Sequence, residues 1–431
     1  MNDQNSSEIL SAAPGTCVQP ALTAISRRRV LKGVLAATAA MAANPLAAGA
    51  AKPPQVKPAP GTTIFGGFDV QSIEEALAID AQAVRLIVPI IVLQKIMGQA
   101  RHAQADHGPW PWPFVLMRAL HKSGIKVVVT FLWANWGHPM PIPEVNSHRG
   151  QQWLQVVREF THIMGDQLYY VTMDNEPLTF LHAADWHKSP TGHIKVLDWY
   201  SAVAEEIHKI RPDLPISAPA INILQQVMTM TPATLKVHGW VKACAAYTRE
   251  MCAWTNRNGH ISALDLHLYV KDVAQMKQQL AFARTLTDKP FLSTEWSQLP
   301  ALNGWINQPL DRQFAAQWKQ PATRTNAAYS EACMQHPVSL NQWNDFMATA
   351  PLSPTFMQQA CTLMGRNRVL LSAYSGGRQY KMIGNPVHVA NYAKDAITML
   401  YANATVVPLH GRWQPNYKLV RWFKAVAKEN T

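Results

Sequence analysis

Leu168-Tyr169-Tyr170-Val171-Thr172-Met173-Asp174-Asn175-Glu176-Pro177 starts as an apolar run and leaves it through an acid, an amide, a second acid and a proline. Asp and Asn make turns and Pro stops a strand, so a plain turn accounts for three of the last four residues. It does not account for Glu176. A carboxylate at the end of a buried-looking strand raises the question of a partner.

Seven more short apolar runs share this character, at 63–68, 83–88, 126–132, 215–219, 263–268, 290–294 and 368–374, with the opening run at 168–173 as the fourth. Each is brief, apolar and mostly bounded by Gly, Pro, Asp or Lys, as strands buried on both faces tend to be. Helix-like segments at 72–79, 113–122, 149–164, 196–210, 235–254, 273–286, 354–364 and 387–401 alternate with them. Eight strand–helix units in series predict a (β/α)8 TIM barrel. A doubly wound open sheet is the alternative, but no glycine-rich phosphate turn follows the first strand. Residues 298–350 break the rhythm. They are too long for a βα loop and carry Trp305, Trp318, Trp343 and a helical pattern at 310–319, as a lid or a peripheral support would. A helical pattern at 416–428 should pack on the barrel exterior.

The first fifty residues stand apart. Ser26-Arg27-Arg28-Arg29-Val30-Leu31-Lys32 precedes an Ala-rich apolar run and Ala48-Gly49-Ala50, a small-residue cleavage site. The order resembles a twin-arginine export signal, with the translocase as a transient partner and the periplasm or exterior as the destination. Residues 51–60 read as a Pro- and Lys-rich linker, and 61–431 as the barrel. Beyond residue 50 no apolar run reaches membrane-spanning length, so stable membrane insertion is not expected. The leader holds four of the 39 basic and two of the 27 acidic side chains, so the remainder stays net positive. These charges are scattered, which argues against a nucleic-acid footprint. Cys333 and Cys361 have the option of pairing, whereas Cys244 and Cys252 lie two turns apart on one helix pattern. Neither a CxxC pair nor an HExxH run suggests a metal, and no cofactor is expected.

In a TIM barrel reactive groups sit at the C-terminal ends of the strands. The seventh run ends Phe291-Leu292-Ser293-Thr294-Glu295-Trp296, and Glu295 holds the place that Glu176 holds on the fourth. Two glutamates on opposed strands of an eight-membered ring face one another across the mouth. That is the arrangement that cuts a glycosidic bond. Asn175-Glu176-Pro177 after strand four, Thr294-Glu295-Trp296 at strand seven, Arg85 inside strand two and His267-Leu268-Tyr269 at strand six together resemble the clan A glycoside hydrolases. Within the clan they are most like the family 5 endo-glycanases of the cellulase and mannanase type. The resemblance covers 61–377. It departs from the family near the end of strand three, where Leu132-Trp133-Ala134-Asn135-Trp136 stands in place of a histidine. It departs again after strand eight, where Tyr374-Ser375-Gly376-Gly377 lacks the usual tryptophan.

The resemblance implies a retaining hydrolase acting on a β-linked polysaccharide or oligosaccharide, or a transglycosylase. Glu295 would be the nucleophile and Glu176 the acid/base. Arg85 and Tyr269 would favour the anion of Glu295, and Asn175 would bond the sugar 2-hydroxyl. His267 is expected at the sugar as a ligand or as a core histidine, held by Asp265 on the same strand face. Sugars stack their C–H faces on aromatic rings. Trp133, Trp136 and Trp296 are therefore expected to line the substrate site, with Trp110 and Trp112 near them. Two other readings remain open at this stage. One is a non-catalytic polysaccharide-binding or assembly protein on the same scaffold. The other is a hydrolase using a metal on Asp265 and His267.

Overall fold

The computed structural model describes residues 63–429 apart from 69, 71, 107–108, 135–139, 190–192, 229–238, 375, 377–378, 380–388, 410–411 and 413. The export leader and the linker at 51–60 lie outside the described residues, as do Asn135, Trp136 and Gly377.

All eight apolar runs form strands: β1 Ile64–Phe68, β2 Ala83–Pro89, β3 Lys126–Leu132, β4 Tyr170–Thr172, β5 Ile216–Ser217, β6 Ile261–Tyr269, β7 Phe291–Ser297 and β8 Val369–Tyr374. They pair in parallel in chain order, and β8 closes on β1. The open-sheet alternative is therefore excluded. Closure explains the composition of the strands, which have an interior on one face and a layer of helices on the other.

The barrel interior is built in layers. Ile64, Ala83, Val128, Tyr170, Ala263, Leu292 and Leu371 form an apolar plug, one residue from every strand except β5. Strand side chains alternate with a period of two. Two residues further along, the same faces carry Arg85, Thr130, Thr172, Asp265 and Thr294, all buried. The polar layer is knit by hydrogen bonds, among them Arg85 Nε to Thr130 Oγ1 at 2.8 Å and Ser217 Oγ to Thr172 Oγ1 at 3.0 Å. The apolar plug thus seals the base, and polar chemistry begins one layer above it, toward the C-terminal mouth.

The expected helices fall close to their positions, and the longest helix that was not expected follows β2. Helix Ile90–Asp106 follows β2 without a break, ahead of helix Phe114–Lys122, so this interval holds two helices where the sequence suggested one. Ile90, Leu93, Met97, Ala100 and Ala103 form its buried stripe. Side-chain caps fix several helix starts. Ser147 Oγ accepts from Gly150 N at 3.0 Å, and Asp272 Oδ1 accepts from Gln275 N at 2.8 Å.

The 298–350 interval contains helices Arg312–Gln317, Asn326–Gln335 and Leu340–Ala348. Phe314, Tyr329, Trp343, Phe346 and Trp305 form an aromatic cluster within it. It is tied down at several points. Trp343 Nε1 donates to Asn416 Oδ1 at 2.6 Å, Val338 bridges to Val406, and Lys394 Nζ donates to Asn303 Oδ1 at 2.9 Å. The insertion is anchored to the C-terminal segment. Cys244, Cys252, Cys333 and Cys361 are buried and none is joined in a disulfide, so Cys333 and Cys361 do not pair. Among the described residues no helix is long and apolar enough to cross a membrane.

Gly66 of β1 pairs with Ala83 of β2 at close quarters. A Cβ there would lie 2.4 Å from the Ala83 carbonyl oxygen, whereas at Gly259 a Cβ meets nothing within 4 Å. Gly66→Ala is expected to destabilise the barrel by roughly 2 kcal/mol or more, since backbone cannot yield as a flexible side chain would. Gly259→Ala should stay within about 0.5 kcal/mol of the wild type. Urea denaturation of both variants checks the contrast.

Candidate active site

Glu295 sits low in the mouth and is 6 % exposed. Strict alternation would turn it away from the interior, because Thr294 already faces inward. A bulge corrects this. Between Leu292 and Glu295 β7 advances three residues while β6 advances two, from Asp265 to His267. Against β8, Ser293 to Trp296 again spans three residues opposite two. The extra residue shifts the phase, so Thr294 and Glu295 both project into the barrel and Trp296 points out.

Two donors hold the Glu295 carboxylate. Arg85 Nη1 donates to Oε1 in a buried ion pair, and the Tyr269 hydroxyl donates to Oε2. Arg85 is fully buried, and its Nη2 also donates to Asn175 Oδ1 at 2.6 Å. Burial alone would push the Glu295 carboxyl up. The His267 ring, the Arg85 charge and the Tyr269 hydrogen bond outweigh it, so Glu295 is held below the usual carboxylate range.

Glu176 leaves β4 in the left-handed region, at φ 47° and ψ 64°, ahead of a short helix Pro177–Phe180 with Pro at its first turn. A non-glycine residue in that region is strained, and such strain gathers at functional sites. Beneath it Asp174 is fully buried. Its Oδ1 accepts from Asn175 N at 2.8 Å and its Oδ2 from the Tyr200 hydroxyl at 2.6 Å. Burial pushes Asp174 up to about 7 against the pull of these bonds.

His267 lies between the two glutamates. Its Nδ1 is 2.6 Å from Glu176 Oε1 and 3.6 Å from Glu295 Oε2. Burial depresses the ring's proton affinity, but the charge of Glu295 and the bond to Glu176 raise it further, and the net direction is upward. Asp265 lies two residues earlier on β6 and grips Thr294. A third acid was not found in the sequence. Asp395, on helix Val389–Thr398, is pushed up to about 7 by burial, with Lys394 opposing and the Glu295 and Glu176 charges adding to the rise. That helix therefore borders the same mouth.

Two expected sugar platforms are not platforms. Trp133 is fully buried. Its Nε1 donates to the Met173 carbonyl at 2.6 Å, and its ring packs on Phe131, Trp153 and Trp199. Trp296 is fully buried among Phe65, Phe356 and Tyr374, in the layer between strands and helices. Both rings face outward because the strand pleat, and in β7 the bulge, sends them there. Trp136 lies outside the described residues. Trp110 is half-buried, with Phe114 at 6.2 Å and the Arg118 guanidinium 4.5 Å over its ring.

One atom each of Glu176, His267 and Glu295 lie within 4.8 Å of one another. As a metal cage the set fits poorly. Both oxygens of Glu295 accept from Arg85 and Tyr269, and His267 Nδ1 is taken up by Glu176. The buried guanidinium already supplies the positive charge that a metal would bring. Asp265 is occupied by Thr294, which leaves the Asp265–His267 metal reading without a free carboxylate oxygen.

No protein-family model and no curated protein matches the chain. Solved structures do. A glucosidase from Croceicoccus marinus superposes at TM-score 0.50 with 10% identity, over 87% of this chain and 69% of that one. A GH86 protein in complex with neoagarooctaose gives 0.42 at 11% identity, over 85% of this chain and 59% of that one. A psychrophilic family 10 endo-β-1,4-xylanase gives 0.38 at 10%, over 77% and 96%. At such identities the first likeness shows the fold, and the other two lie below the level at which they add to it.

Asp174 generates a stability prediction. A carboxyl raised from 3.8 to about 7 in the folded state favours folding only when protonated. Its contribution is complete below about pH 4 and is lost as pH rises toward about 7, up to about 4 kcal/mol in all. Asp174→Asn keeps a polar partner for Tyr200 and cannot ionise. Its Tm should gain on the wild type steadily across that window and stay ahead above it. A constant Tm difference at every pH would show that Asp174 does not titrate with folding.

Proposed function

We propose that the protein is an exported retaining glycoside hydrolase, family 5-like in its motifs, that cleaves O-glycosidic bonds in a β-linked polysaccharide. The observation that carries this reading is the asymmetric carboxyl pair. Glu295 is held as an anion by Arg85 and Tyr269, and an oxygen of Glu176 lies within 4.8 Å of one of its oxygens. Retaining enzymes place their carboxyls about 5–5.5 Å apart, and inverting ones about 6.5–9.5 Å apart to admit a water. The spacing supports the first class.

In the proposed reaction Glu176 protonates the departing oxygen while a Glu295 oxygen bonds to the anomeric carbon. Water then adds to that carbon, Glu176 takes its proton, and the bond to Glu295 breaks. Asn175 suits the sugar 2-hydroxyl. Its Oδ1 faces Arg85, so its amide NH2 is the end left for a ligand. The polymeric nature of the substrate rests on the motif resemblance, and the periplasmic or secreted location on the leader.

Glu295→Gln should abolish turnover. Glu176→Gln should lower kcat on an unactivated β-polysaccharide roughly 10²–10⁴-fold, and less on a glycoside with a good leaving group. The first product should keep the β-anomer by proton NMR before mutarotation. Polymer binding without turnover in the wild type would instead mean a binding protein. Export has its own check. Replacing Arg27 and Arg28 together with lysine should leave the precursor in the cytoplasm on fractionation, and unchanged export would remove the twin-arginine reading.

A further inference from the structure

His267 Nδ1 reaches both carboxyls, Glu176 at 2.6 Å and Glu295 at 3.6 Å, and what stands behind the ring decides how it acts. Asp265 and Thr294 are fully buried, and His267 is 2 % exposed. Asp265 Oδ1 accepts from the Thr294 backbone N–H at 3.0 Å, and its Oδ2 accepts from the Thr294 hydroxyl at 2.6 Å. A threonine hydroxyl has one hydrogen, and here it points at Asp265. Toward His267 Nε2, 3.2 Å away, the same oxygen has only lone pairs to offer. The Nε2 atom therefore carries the ring's proton. A neutral imidazole carries one N–H, so its Nδ1 is then bare and faces Glu176 Oε1 at 2.6 Å. Two bare acceptors at that distance repel. A proton must lie between them, supplied by the carboxylic acid or by a doubly protonated ring.

We infer that Asp265 and Thr294 are positioning residues that make His267 and Glu176 hold one proton in common, and so set when the acid/base is charged. This rests on the reading of Glu176 as the acid/base. Without the relay the neutral ring would be free to turn its N–H onto Nδ1 and donate it to the carboxylate, and the pair would need no further proton. With the relay the pair keeps a proton to give to the departing oxygen. Once that proton has left, a bare carboxylate facing a bare nitrogen is a strong base, suited to taking a proton from the incoming water. The other groups around the ring leave this logic intact. Glu295 lies 3.6 Å from Nδ1, its charge is paired with Arg85, and what it still exerts on the ring favours the protonated form, while Asp395 interacts by charge with both glutamates. A purely structural role for Asp265, pinning β6 to β7, predicts no tautomer preference.

Asparagine at 265 inverts the relay without changing its shape. Its Oδ1 still accepts from Thr294 N, but its Nδ2 donates to the Thr294 hydroxyl, whose own hydrogen then turns to Nε2. The test is long-range ¹H–¹⁵N correlation NMR of the full chain across pH, with the His267 signals assigned by their loss in His267→Gln. In the wild type the neutral ring should be the Nε2–H tautomer. In Asp265→Asn it should be Nδ1–H, and the shared proton should leave at a pH lower by roughly one unit or more, as when a carboxylate gains a hydrogen-bond donor. Thr294→Val should lose the preference and Thr294→Ser should restore it, which keeps the test decisive if Asp265→Asn fails to fold. A wild-type ring in the Nδ1–H form, or a tautomer unmoved by these substitutions, would overturn the inference. The measurement uses no substrate, so it stands apart from the hydrolase reading, which fails separately if Glu176→Gln leaves turnover intact.

Discussion

The site is organised around one buried cation. Arg85 reaches from β2 to Thr130 on β3, to Asn175 at the end of β4 and to Glu295 on β7, and it does so with no exposure to solvent. A buried guanidinium is tolerated only when its fork is filled, because the desolvation cost of an unpaired charge is several kcal/mol. The same demand works in reverse. Glu295 stays ionised at depth because Arg85 is there, and breaking such a pair costs about 3–5 kcal/mol through the charge left behind. This is specificity more than net stability, since well-packed apolar residues would serve a fold at least as well. The apolar layer beneath, from Ile64 round to Leu371, carries the stability that such a network does not.

Much of the fold was legible because a closed parallel barrel writes itself as short runs apolar on both faces. All eight runs became strands in the expected order. The boundary after β2 was not legible, since the apolar character runs from Leu86 through Pro89 into Leu93 and hides where the strand becomes a helix. Pairing of Glu176 with Glu295 was readable from motif order, and so were Arg85, Asn175, His267 and Tyr269. The direction of the tryptophans was not. Position after a strand says that a ring is near the mouth, but only the pleat says which way it faces. In β7 the bulge between Leu292 and Glu295 reverses the pleat. The same inserted residue that turns Glu295 inward turns Trp296 outward. Reading both as site residues required them to share a face, which adjacent positions on a strand do only at a bulge, and here the bulge gives that to Thr294 and Glu295 and not to Trp296.

The relay behind His267 was half legible. Asp265 and His267 share a face at i and i+2, so their proximity followed from the strand. Thr294 did not, because its meeting with Asp265 depends on how β6 and β7 are registered across the barrel. Registers between strands are set by closure and packing, which no single run encodes. The same holds for Asp395, contributed by a helix more than a hundred residues downstream of Glu176.

In the proposed reaction two identical side chains take opposite tasks, and their surroundings are correspondingly unlike. Glu295 is gripped from both sides by donors on β2 and β6, so its charge is fixed and its position is rigid. Glu176 stands on a left-handed backbone turn above Asp174, partly exposed, with one ring nitrogen as its partner. A group meant to exchange protons must not be saturated by fixed cations, and a group meant to attack carbon must not be free to pick up a proton. On the proposed reaction, swapping the two environments would leave both residues present and neither suited to its task. The divergence begins with Arg85. Its bonds to Glu295, Asn175 and Thr130 tie the guanidinium to the first acid, whereas Glu176 Oε1 meets His267 Nδ1 at 2.6 Å, so on the proposed reading the imidazole governs the second acid.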